Sequence, residues 1–514
     1  MPYGLRYPDL ALHLQISNLP STQWVSEEIT VEPLEDVEAV YIYGLGRCGQ
    51  PLWKWLEKNP RHQLIFLEND LAALAAFAPE AEKLLSHPQV HLKWALSSHI
   101  LEECAAQFSY EHIQVIATSA KAKYPAFRKI QESLLRRTLL WHSVTSEEIS
   151  GHLLHRNIIA NLHRLPQCSY VNAWEGAWKG VPAIICGAGP SLEASAEALR
   201  QVQDQKQDRA LIIACGSALS ALSHLNIRPH LGVAIDPNAR EFDCLKGCSY
   251  RDLPLLFASR LYPKVFEIFE GRYGYIRCGS GGSLENHVEH ELGLKDPFLG
   301  QDLGREALSV TTLAVSLARH WGCNPIIFAG VDLAYTRQTH YSKGVLAEQI
   351  PMTGLLRRLD VSGKFVKTTL KWIMERDTFD AYAKHHPEVT FLNTSQGLKF
   401  SHIPSTSLKE ALSGYSSNDL TGRLNRLMDK KTDINAQQVS ELFRTIKMSV
   451  ERCLTLLLTL QQEEKGSGKA ILYESDLEAE LAYRLLLEPP RLSLERLGRP
   501  EVWGPLEEIA RSYL

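Results

Sequence analysis

The chain has 514 residues, too many for a single hydrophobic core, and its length predicts two or three domains. Its hydrophobic content of 45% and charged content of 22% are those of an ordinary globular protein. The net charge of −4, with no long basic run, excludes the electrostatic footprint of a nucleic-acid-binding protein.

The sequence shows no signal peptide, no membrane span and no paired cysteine motif, which bears on localisation and on the state of the thiols. The N-terminal stretch has no charged segment followed by an apolar one, and no apolar run is long enough to span a bilayer. The ten cysteines are scattered, and the pair Cys244 and Cys248 has no second pair at zinc spacing. We therefore expect a cytoplasmic protein with buried free thiols and no membrane span.

Residues 1–170 predict a Rossmann-like domain followed by a helical connector. A strand, helix and strand follow one another over residues 39–70, and Gly44, Gly46 and Gly49 match the dinucleotide-binding pattern in the first turn. Glu68 ends the next strand, nineteen residues after Gly49. These residues form a secondary candidate site, although glycines in such a turn also serve tight geometry and helix packing alone.

Residues 171–412 predict an α/β domain, and residues 413–514 a helical one. Short apolar strands alternate with helical stretches in the first of these regions, which indicates a mostly parallel, doubly wound sheet. The predicted strands read PAIICG, ALIIACG, LGVAID, PLLFAS, GYIRCG and PIIFAGVDL. After residue 413 the apolar residues recur at helical spacing.

The loop after the first of these strands predicts a phosphate site. It reads Gly187-Ala188-Gly189-Pro190-Ser191 and leads into a helix, so its free amides and the helix dipole favour an anion. Pro190 suits a first helical turn because its missing N–H costs nothing there. No lysine follows the glycines, so the loop is not of the type that holds a nucleotide γ-phosphate.

Polar or small residues follow the other strands as well. Ligands of open α/β sheets lie beyond the carboxyl ends of the strands, so this repetition indicates a nucleotide or a nucleotide-linked substrate. The residues, strand by strand, are Gly216 and Ser217; Asp236, Pro237 and Asn238; Ser259 and Arg260; Gly279 to Ser283; and Asp332, followed by Tyr335 and His340.

Residues 150–400 resemble the motility-accessory-factor family, which is also classed with the archaeal-type 6-hydroxymethylpterin diphosphokinases. The segments that carry the resemblance are NIIANL, WKGVPAIICGAGPSLE, ALIIACGSALSALSHLNIRPHLGVAIDP, SVTTLAVSLARHWGCNPIIFAGVDLAYTRQTHYSKG and FLNTSQGLKF. The resemblance implies a sialyltransferase-like central domain and one of two chemistries, sugar transfer or pyrophosphate transfer.

Sugar transfer would move a nonulosonic (sialic-acid-like) sugar from a CMP donor to a Ser or Thr hydroxyl of a protein such as flagellin. His340 is then the expected base, because imidazole titrates near neutrality. Tyr335, Asp332 and the glycine-loop amides would serve the reacting groups. Ser309, Asn393 and Thr394 would bind the donor, while Leu308 stands where relatives commonly have glycine.

Pyrophosphate transfer from ATP to a pterin alcohol would need Mg²⁺, for which Asp236 and Asp332 are the expected ligands. Arg260 and Arg305 are the main sources of positive charge for a triphosphate. No other cofactor is expected. A third hypothesis is a non-catalytic nucleotide- or sugar-binding scaffold that acts through the helical tail.

Overall fold

The computed structural model describes residues 6–17, 19, 27–34, 36–204, 207–303, 309–336, 339–346, 355–415, 419–499 and 501–514. Its internal contacts divide the chain into two compact units, Met1–Ser146 and Glu147–Leu514. The division into three domains at residues 170 and 412 stays a prediction.

The first unit is a Rossmann-like layer of strands and helices. Its strands are β1 (Glu28–Ile29), β2 (Ala39–Tyr43), β3 (Arg47–Cys48), β4 (Gln63–Glu68), β5 (Val90–Trp94) and β6 (Ile113–Ala117). Its helices are α1 (Pro8–Ile16), α2 (Gln50–Lys58), α3 (Leu71–Leu85), α4 (Ser98–Gln107) and α5 (Ser119–Ala122). The parallel order β5-β4-β2-β6 is the 3-2-1-4 arrangement of a Rossmann half, which confirms the predicted fold.

A long helix, α6 (Pro125–Leu162), begins in the first unit and ends in the second. Its last turns belong to the second unit, where Asn161 donates to the backbone carbonyls of Ser259 (2.7 Å) and Leu261 (2.6 Å). Its helical conformation over residues 145–162 agrees with the predicted connector.

The second unit is built on an eight-stranded sheet whose strands all run parallel, as predicted. The strands of this unit, including two short hairpins outside the sheet, are β7 (Ser169–Tyr170), β8 (Ala183–Cys186), β9 (Gln203–Asp204), β10 (Gln207–Asp208), β11 (Leu211–Cys215), β12 (Leu231–Ala234), β13 (Leu255–Phe257), β14 (Tyr273–Tyr275), β15 (Ile326–Ala329), β16 (Leu356–Leu359), β17 (Phe365–Thr368) and β18 (Phe391–Asn393).

Helices cover both faces of this sheet because its central strands are apolar on both sides. Ile184 and Cys186 of β8 belong to one hydrophobic core, while Ala183 and Ile185 belong to the other. Alternate residues of a strand point to opposite faces, so a continuous apolar run fills both cores. The helices are α7 (Leu192–Val202), α8 (Ala218–His224), α9 (Ala239–Leu245), α10 (Gly282–Glu291), α11 (Val310–His320), α12 (Leu370–His385) and α13 (Leu408–Ala411).

The order of the strands creates one switch point. The order is β18-β15-β8-β11-β12-β13-β14-β7. Strands β11, β12, β13 and β14 are added in turn on one side of β8, and the chain then returns so that β15 pairs with the other edge of β8. The crevice at the carboxyl ends of β8 and β15 is where an open α/β sheet binds its ligand.

The C-terminal part is helical, as predicted. It contains α14 (Leu420–Asp429), α15 (Ala436–Leu460), α16 (Gly468–Ala479), α17 (Glu488–Arg496) and α18 (Trp503–Arg511), with a π-helical segment at Tyr483–Leu487. Val439, Phe443, Ile446, Val450 and Leu457 of α15 are buried, as their helical spacing indicates. Among the described residues, no helix combines the length and apolarity needed to cross a bilayer.

Candidate functional site

The glycine loop lies at the switch point, but the amides of Gly187, Gly189, Ser191 and Leu192 are already bonded within the protein. The four bonds run from Gly187 N to Ala329 O (2.9 Å), from Gly189 N to Gly330 O (2.8 Å), from Ser191 N to Asp332 Oδ2 (2.9 Å) and from Leu192 N to Gly189 O (3.0 Å). Ala188, Pro190 and Ser191 are buried. The donors of Gly187, Gly189 and Ser191 therefore bond the end of β15 and the loop that follows it, and they do not face an open cradle.

The glycines are needed because the two loops touch. A Cβ at Gly189 would lie 2.7 Å from both Asp332 Cγ and Gly330 O, and one at Gly187 would lie 2.6 Å from Gly330 O. Contacts under 3 Å to backbone cannot be relieved by a side-chain rotation. Any larger residue would force the β8 and β15 loops apart.

Asp332 is the centre of this contact. Its side chain is 2% exposed and accepts hydrogen bonds from the Ser191 amide, the Ser191 hydroxyl and Thr336 Oγ1 (3.0 Å). Ser342 adds two bonds, donating its amide to Ala188 O and its hydroxyl to Gly189 O, each at 2.7 Å. The loop after β15 is thus fixed to the glycine loop at both of its ends.

Three residues between these anchors and one residue of α12 form an aromatic cluster, which we define as Tyr335, His340, Tyr341 and Trp372. The ring of His340 lies 4.3 Å from Tyr341, 5.4 Å from Tyr335 and 6.1 Å from Trp372, measured between centroids. The rings of Tyr335 and Trp372 are 5.2 Å apart. Sequence reasoning singled out Tyr335 and His340 but missed Tyr341 and Trp372.

Two polar atoms of this aromatic cluster are buried without a hydrogen-bond partner in the described part of the chain: Tyr335 Oη and His340 Nε2. Tyr335 is 6% exposed. A buried polar group without a partner costs about 1–3 kcal/mol, which a ligand or an ordered water can offset by completing the hydrogen bond.

Burial sets the protonation states of both side chains. Desolvation and the positive charge of Arg240 lower the pKa of His340, and desolvation raises the pKa of Tyr335. At neutral pH the imidazole is uncharged and the phenol keeps its proton. The pair combines a neutral base with a hydrogen-bond donor.

The turn after β11 lies beside a buried carboxyl group. Gly216 adopts a positive φ of 49°, and a Cβ there would lie 3.3 Å from Glu241 Oε1. The hydroxyl of Ser217 is hydrogen-bonded to Tyr341, which connects this turn to the aromatic cluster. Burial, with the nearby charge of Asp236, raises the pKa of Glu241 to about 8.

Ser309 caps α11 and contacts a second carboxyl group. Its Oγ accepts from Thr312 N (3.1 Å) and donates to Glu375 Oε1 (2.6 Å). Desolvation raises the pKa of Glu375, while the bond from Ser309 lowers it, and the net shift is upward. Val310 lies 3.5 Å from a Cβ placed on Gly216, so Ser309 and Gly216 flank the same corner.

The remaining predicted donor-binding residues are occupied by local structure. Asp236 and Asn238 are exposed, and Asp236 Oδ1 accepts from the amide (3.0 Å) and the side chain (2.9 Å) of Asn238. Asn393 is fully buried and bonds Ser395, while Thr394 Oγ1 donates to Phe328 O (2.7 Å). Arg305 and Leu308 lie outside the described residues.

The predicted magnesium ligands do not fit a metal site in this arrangement. Both oxygens of Asp332 are engaged by Ser191 and Thr336, and Asp236 is committed to its own turn. In the described ranges, no three His, Cys, Asp or Glu side chains converge closely enough to hold a metal ion. We derive no metal-dependent step from these residues.

The secondary candidate site in the first unit is filled by the chain itself. Strand β1 pairs in parallel with β3, and Arg47 N and Gly49 N donate to Glu27 O (2.8 Å) and Ile29 O (2.9 Å). A Cβ on Gly46 would lie 2.7 Å from Glu27 O, and one on Gly49 would lie 2.8 Å from Ile29 O. These glycines make room for residues 27–30.

Gly44 and Glu68 are likewise bonded within the unit. Gly44 has a φ of 100°, and its amide donates to Leu67 O (3.0 Å). Glu68 is 1% exposed and accepts from Lys121 Nζ (3.1 Å) and from the amides of Asn69 and Asp70. Its charge is balanced by Lys121, and it does not point to an open ribose site.

Four residues of the site carried no recognisable signal in the sequence: Glu241, Tyr341, Trp372 and Glu375. Tyr341 follows His340 directly, and Glu241 follows Asp236 by five residues, so proximity alone could have suggested these two. Trp372 and Glu375 lie on α12, which reads as an ordinary helix.

Similarity to known proteins is found in a solved structure and in a family model. The solved structure of the MAf glycosyltransferase from Magnetospirillum magneticum AMB-1 is similar at 14% identity, with 98% of this chain and 81% of that chain covered and a TM-score of 0.47. No curated protein sequence matches the chain. The family model described as "6-hydroxymethylpterin diphosphokinase MptE-like" matches residues 156–338, which lie in the central part of the chain.

Proposed function

We propose that this protein is a transferase that binds a nucleotide-linked donor at the aromatic cluster and passes a group from it to a hydroxyl. The favoured reaction moves a nonulosonic sugar from a CMP donor to a Ser or Thr hydroxyl of a protein such as flagellin. The observation that carries the proposal is the pair of unpartnered buried atoms, Tyr335 Oη and His340 Nε2, at the switch point of the sheet.

In this mechanism His340 is the general base. Its lowered pKa keeps the imidazole neutral at pH 7, and in the tautomer with the proton on Nδ1 its Nε2 accepts a proton. The acceptor hydroxyl oxygen attacks the anomeric carbon of the sugar, the bond from that carbon to the phosphate oxygen breaks, and the hydroxyl proton passes to Nε2. CMP leaves as a phosphate monoester.

Tyr335 stabilises the leaving group. Because burial raises its pKa, the phenol stays protonated and can donate to a phosphate oxygen as negative charge grows there. Trp372 is half-buried and adjacent, so its ring offers a face on which a nucleobase stacks. CMP needs no strong acid to leave, which suits a site with these donors.

The glycine loop acts through the loop that it anchors. Asp332 and Ser342 tie the segment that bears Tyr335 and His340 to the Gly187–Ser191 turn. Asp332 is thus a positioning residue in this account. The roles of Gly216, Ser217 and Ser309 are to shape the corner beside Tyr341, together with the protonated Glu241.

The second candidate is ATP-dependent 6-hydroxymethylpterin diphosphokinase activity, which the description of the matching family model favours. It requires carboxylates free to hold Mg²⁺, and the bonds made by Asp332 and Asp236 weigh against it. A non-catalytic nucleotide- or sugar-binding scaffold is the third candidate; it would use the two unpartnered atoms to bind its ligand without transferring a group.

One assay separates the three candidates by product. The protein is incubated with CMP-N-acetylneuraminic acid and a Ser- and Thr-containing acceptor peptide in EDTA, or with ATP, 6-hydroxymethylpterin and Mg²⁺, and the released nucleotide is identified by chromatography. Sugar transfer predicts CMP, the diphosphokinase predicts AMP, and the scaffold predicts neither. We expect His340→Gln to slow CMP release about 10²–10⁴-fold, while His402→Gln, at an exposed histidine, leaves it unchanged.

A further inference from the structure

The hairpin of β16 and β17 lies directly beside the aromatic cluster. Tyr335 pairs with Lys367 of β17 in an antiparallel bridge, and Tyr335 N donates to Lys367 O at 2.8 Å. Thr368 Oγ1 donates to Leu333 O at 2.7 Å. The hairpin is therefore fixed to the same loop that carries His340.

One face of this hairpin is packed and the other is exposed. Leu356 and Val366 pack on a small apolar core that includes Ala334, Ile373 and Leu398. We define the outer face as Arg357, Leu359, Phe365 and Lys367, all of which are exposed; Phe365 is 65% and Leu359 44% exposed. The alternation is that of a two-stranded ribbon with one packed face.

The pairing on the outer face is unfavourable within the chain. Arg357 lies directly opposite Lys367, and Leu359 lies opposite Phe365. Like charges directly opposite one another destabilise a sheet. Arg357 lies over the ring of Phe365 (5.2 Å), but within the described ranges neither Arg357 nor Lys367 forms an ion pair with a carboxylate.

We infer that the outer face of the hairpin docks an acidic segment of the acceptor polypeptide. Carboxylates of such a segment would satisfy Arg357 and Lys367 together, and its apolar side chains would cover Leu359 and Phe365. The bridge between Lys367 and Tyr335 would deliver the bound segment to the aromatic cluster. The inference rests on the proposed function, because it assumes that the acceptor is a polypeptide.

The charge of the whole chain makes this surface selective. The net charge is −4, so an acidic polypeptide is repelled by the protein in general and attracted only where positive charge gathers. Attraction of this kind raises association rates and fixes the register of a bound partner. A flexible acidic segment needs such guidance more than a small donor molecule does.

The test measures binding of a fluorescein-labelled peptide of six Glu-Ser repeats by anisotropy at an ionic strength of about 0.02 M, where the Debye length is long. We expect the double variant Arg357→Gln, Lys367→Gln to weaken binding about tenfold. The control is Lys465→Gln, Lys469→Gln, which removes the same charge from two exposed lysines of the helical part and leaves the affinity unchanged. The melting temperature of the hairpin variant should equal or exceed that of the wild type, since a like-charge pair is removed.

The inference is overturned if the hairpin variant binds the peptide as tightly as the wild type, if the control variant weakens binding equally, or if twelve-residue oligothymidylate binds more tightly than the peptide. Titration of the same proteins with CMP keeps the two proposals distinct. Retained CMP binding without peptide binding overturns this surface alone, whereas peptide binding without CMP binding contradicts the proposed function and supports the surface.

Discussion

Asp332 accepts hydrogen bonds from both the backbone amide and the hydroxyl of Ser191, and this pair joins the loops that follow β8 and β15. The two strands are neighbours at the switch point of the sheet, where the ligand of such a fold is expected. The bond between the loops determines where Tyr335 and His340 lie. Features of the sequence that suggested phosphate binding therefore serve, in the proposed mechanism, to position Tyr335 and His340.

The first prediction concerns this pair. Asp332→Asn replaces a carboxylate that accepts three hydrogen bonds with an amide that has one acceptor oxygen, so at least one buried donor loses its partner. We expect a loss of about 1–3 kcal/mol in the free energy of unfolding, measured as a lower urea midpoint. Asp433→Asn, at an exposed aspartate, is the control and should leave the midpoint unchanged. An Asp332→Asn variant with the urea midpoint of the wild type would show that other contacts hold the two loops together.

The second prediction is an acidic limit of activity set by His340. The pKa of His340 is lowered from 6.5, so the neutral base persists to a pH below that value, and CMP release should fall with a midpoint under pH 6.5. The same shift affects stability: the unfolded chain takes up the proton first, so this contribution is complete above pH 6.5 and is lost as pH falls through the pKa of the folded state.

Arg240 provides the check on that midpoint. Its charge contributes to the lowering, so Arg240→Gln should move the acidic midpoint of the pH–rate profile upward, toward 6.5. Arg444→Gln, at an exposed arginine of α15, should not move it. If Arg240→Gln has the same acidic midpoint as the wild type, the group that titrates in the pH–rate profile is not His340.

The third prediction concerns Glu241. Its pKa is raised from 4.5 to about 8, so the folded state retains a proton that the unfolded state has lost, and stability falls as pH rises between these values. Glu241→Gln removes this dependence because glutamine is neutral at every pH. We expect the variant to match the wild type in melting temperature at pH 5 and to exceed it at pH 9. Glu464→Gln, at an exposed glutamate, should show no such crossover.

The fourth prediction tests the glycine pattern of the first unit. Gly46→Ala places a Cβ 2.7 Å from Glu27 O, so it should disturb the pairing of β1 with β3 and lower the melting temperature of this unit. Gly468→Ala, which meets nothing within 4 Å, is the control. The account also expects NAD and S-adenosylmethionine to leave the melting temperature of this unit unchanged. Stabilisation by either ligand would mean that residues 27–30 move aside for it.

The fold could be predicted from sequence because its strands are apolar on both faces and end in small residues. β8, β11, β12, β13, β14 and β15 all form where such runs occur, and the helical stripe of α15 is buried as its spacing indicates. Local pattern suffices for these elements, since each depends on its own periodicity.

The site was harder to predict because a glycine-rich turn in the sequence does not indicate whether its backbone amides bond a ligand or another loop of the protein. The Gly187–Ser191 turn and the Gly44–Gly49 turn each read as an anion site, yet one bonds the loop after β15 and the other bonds residues 27–30. Trp372 and Glu375 come to the site from α12, far along the chain, through tertiary packing alone.

Calorimetric titration with CMP in EDTA is the measurement that decides whether the aromatic cluster binds a nucleotide-linked donor without metal. We expect binding by the wild type, by His402→Gln and by His340→Gln, because His340 serves the acceptor hydroxyl, and an affinity reduced by about tenfold or more, equal to at least ~1.4 kcal/mol, in Tyr335→Phe. Failure of the wild type to bind CMP, or binding of ATP only when Mg²⁺ is present, would contradict the proposed function.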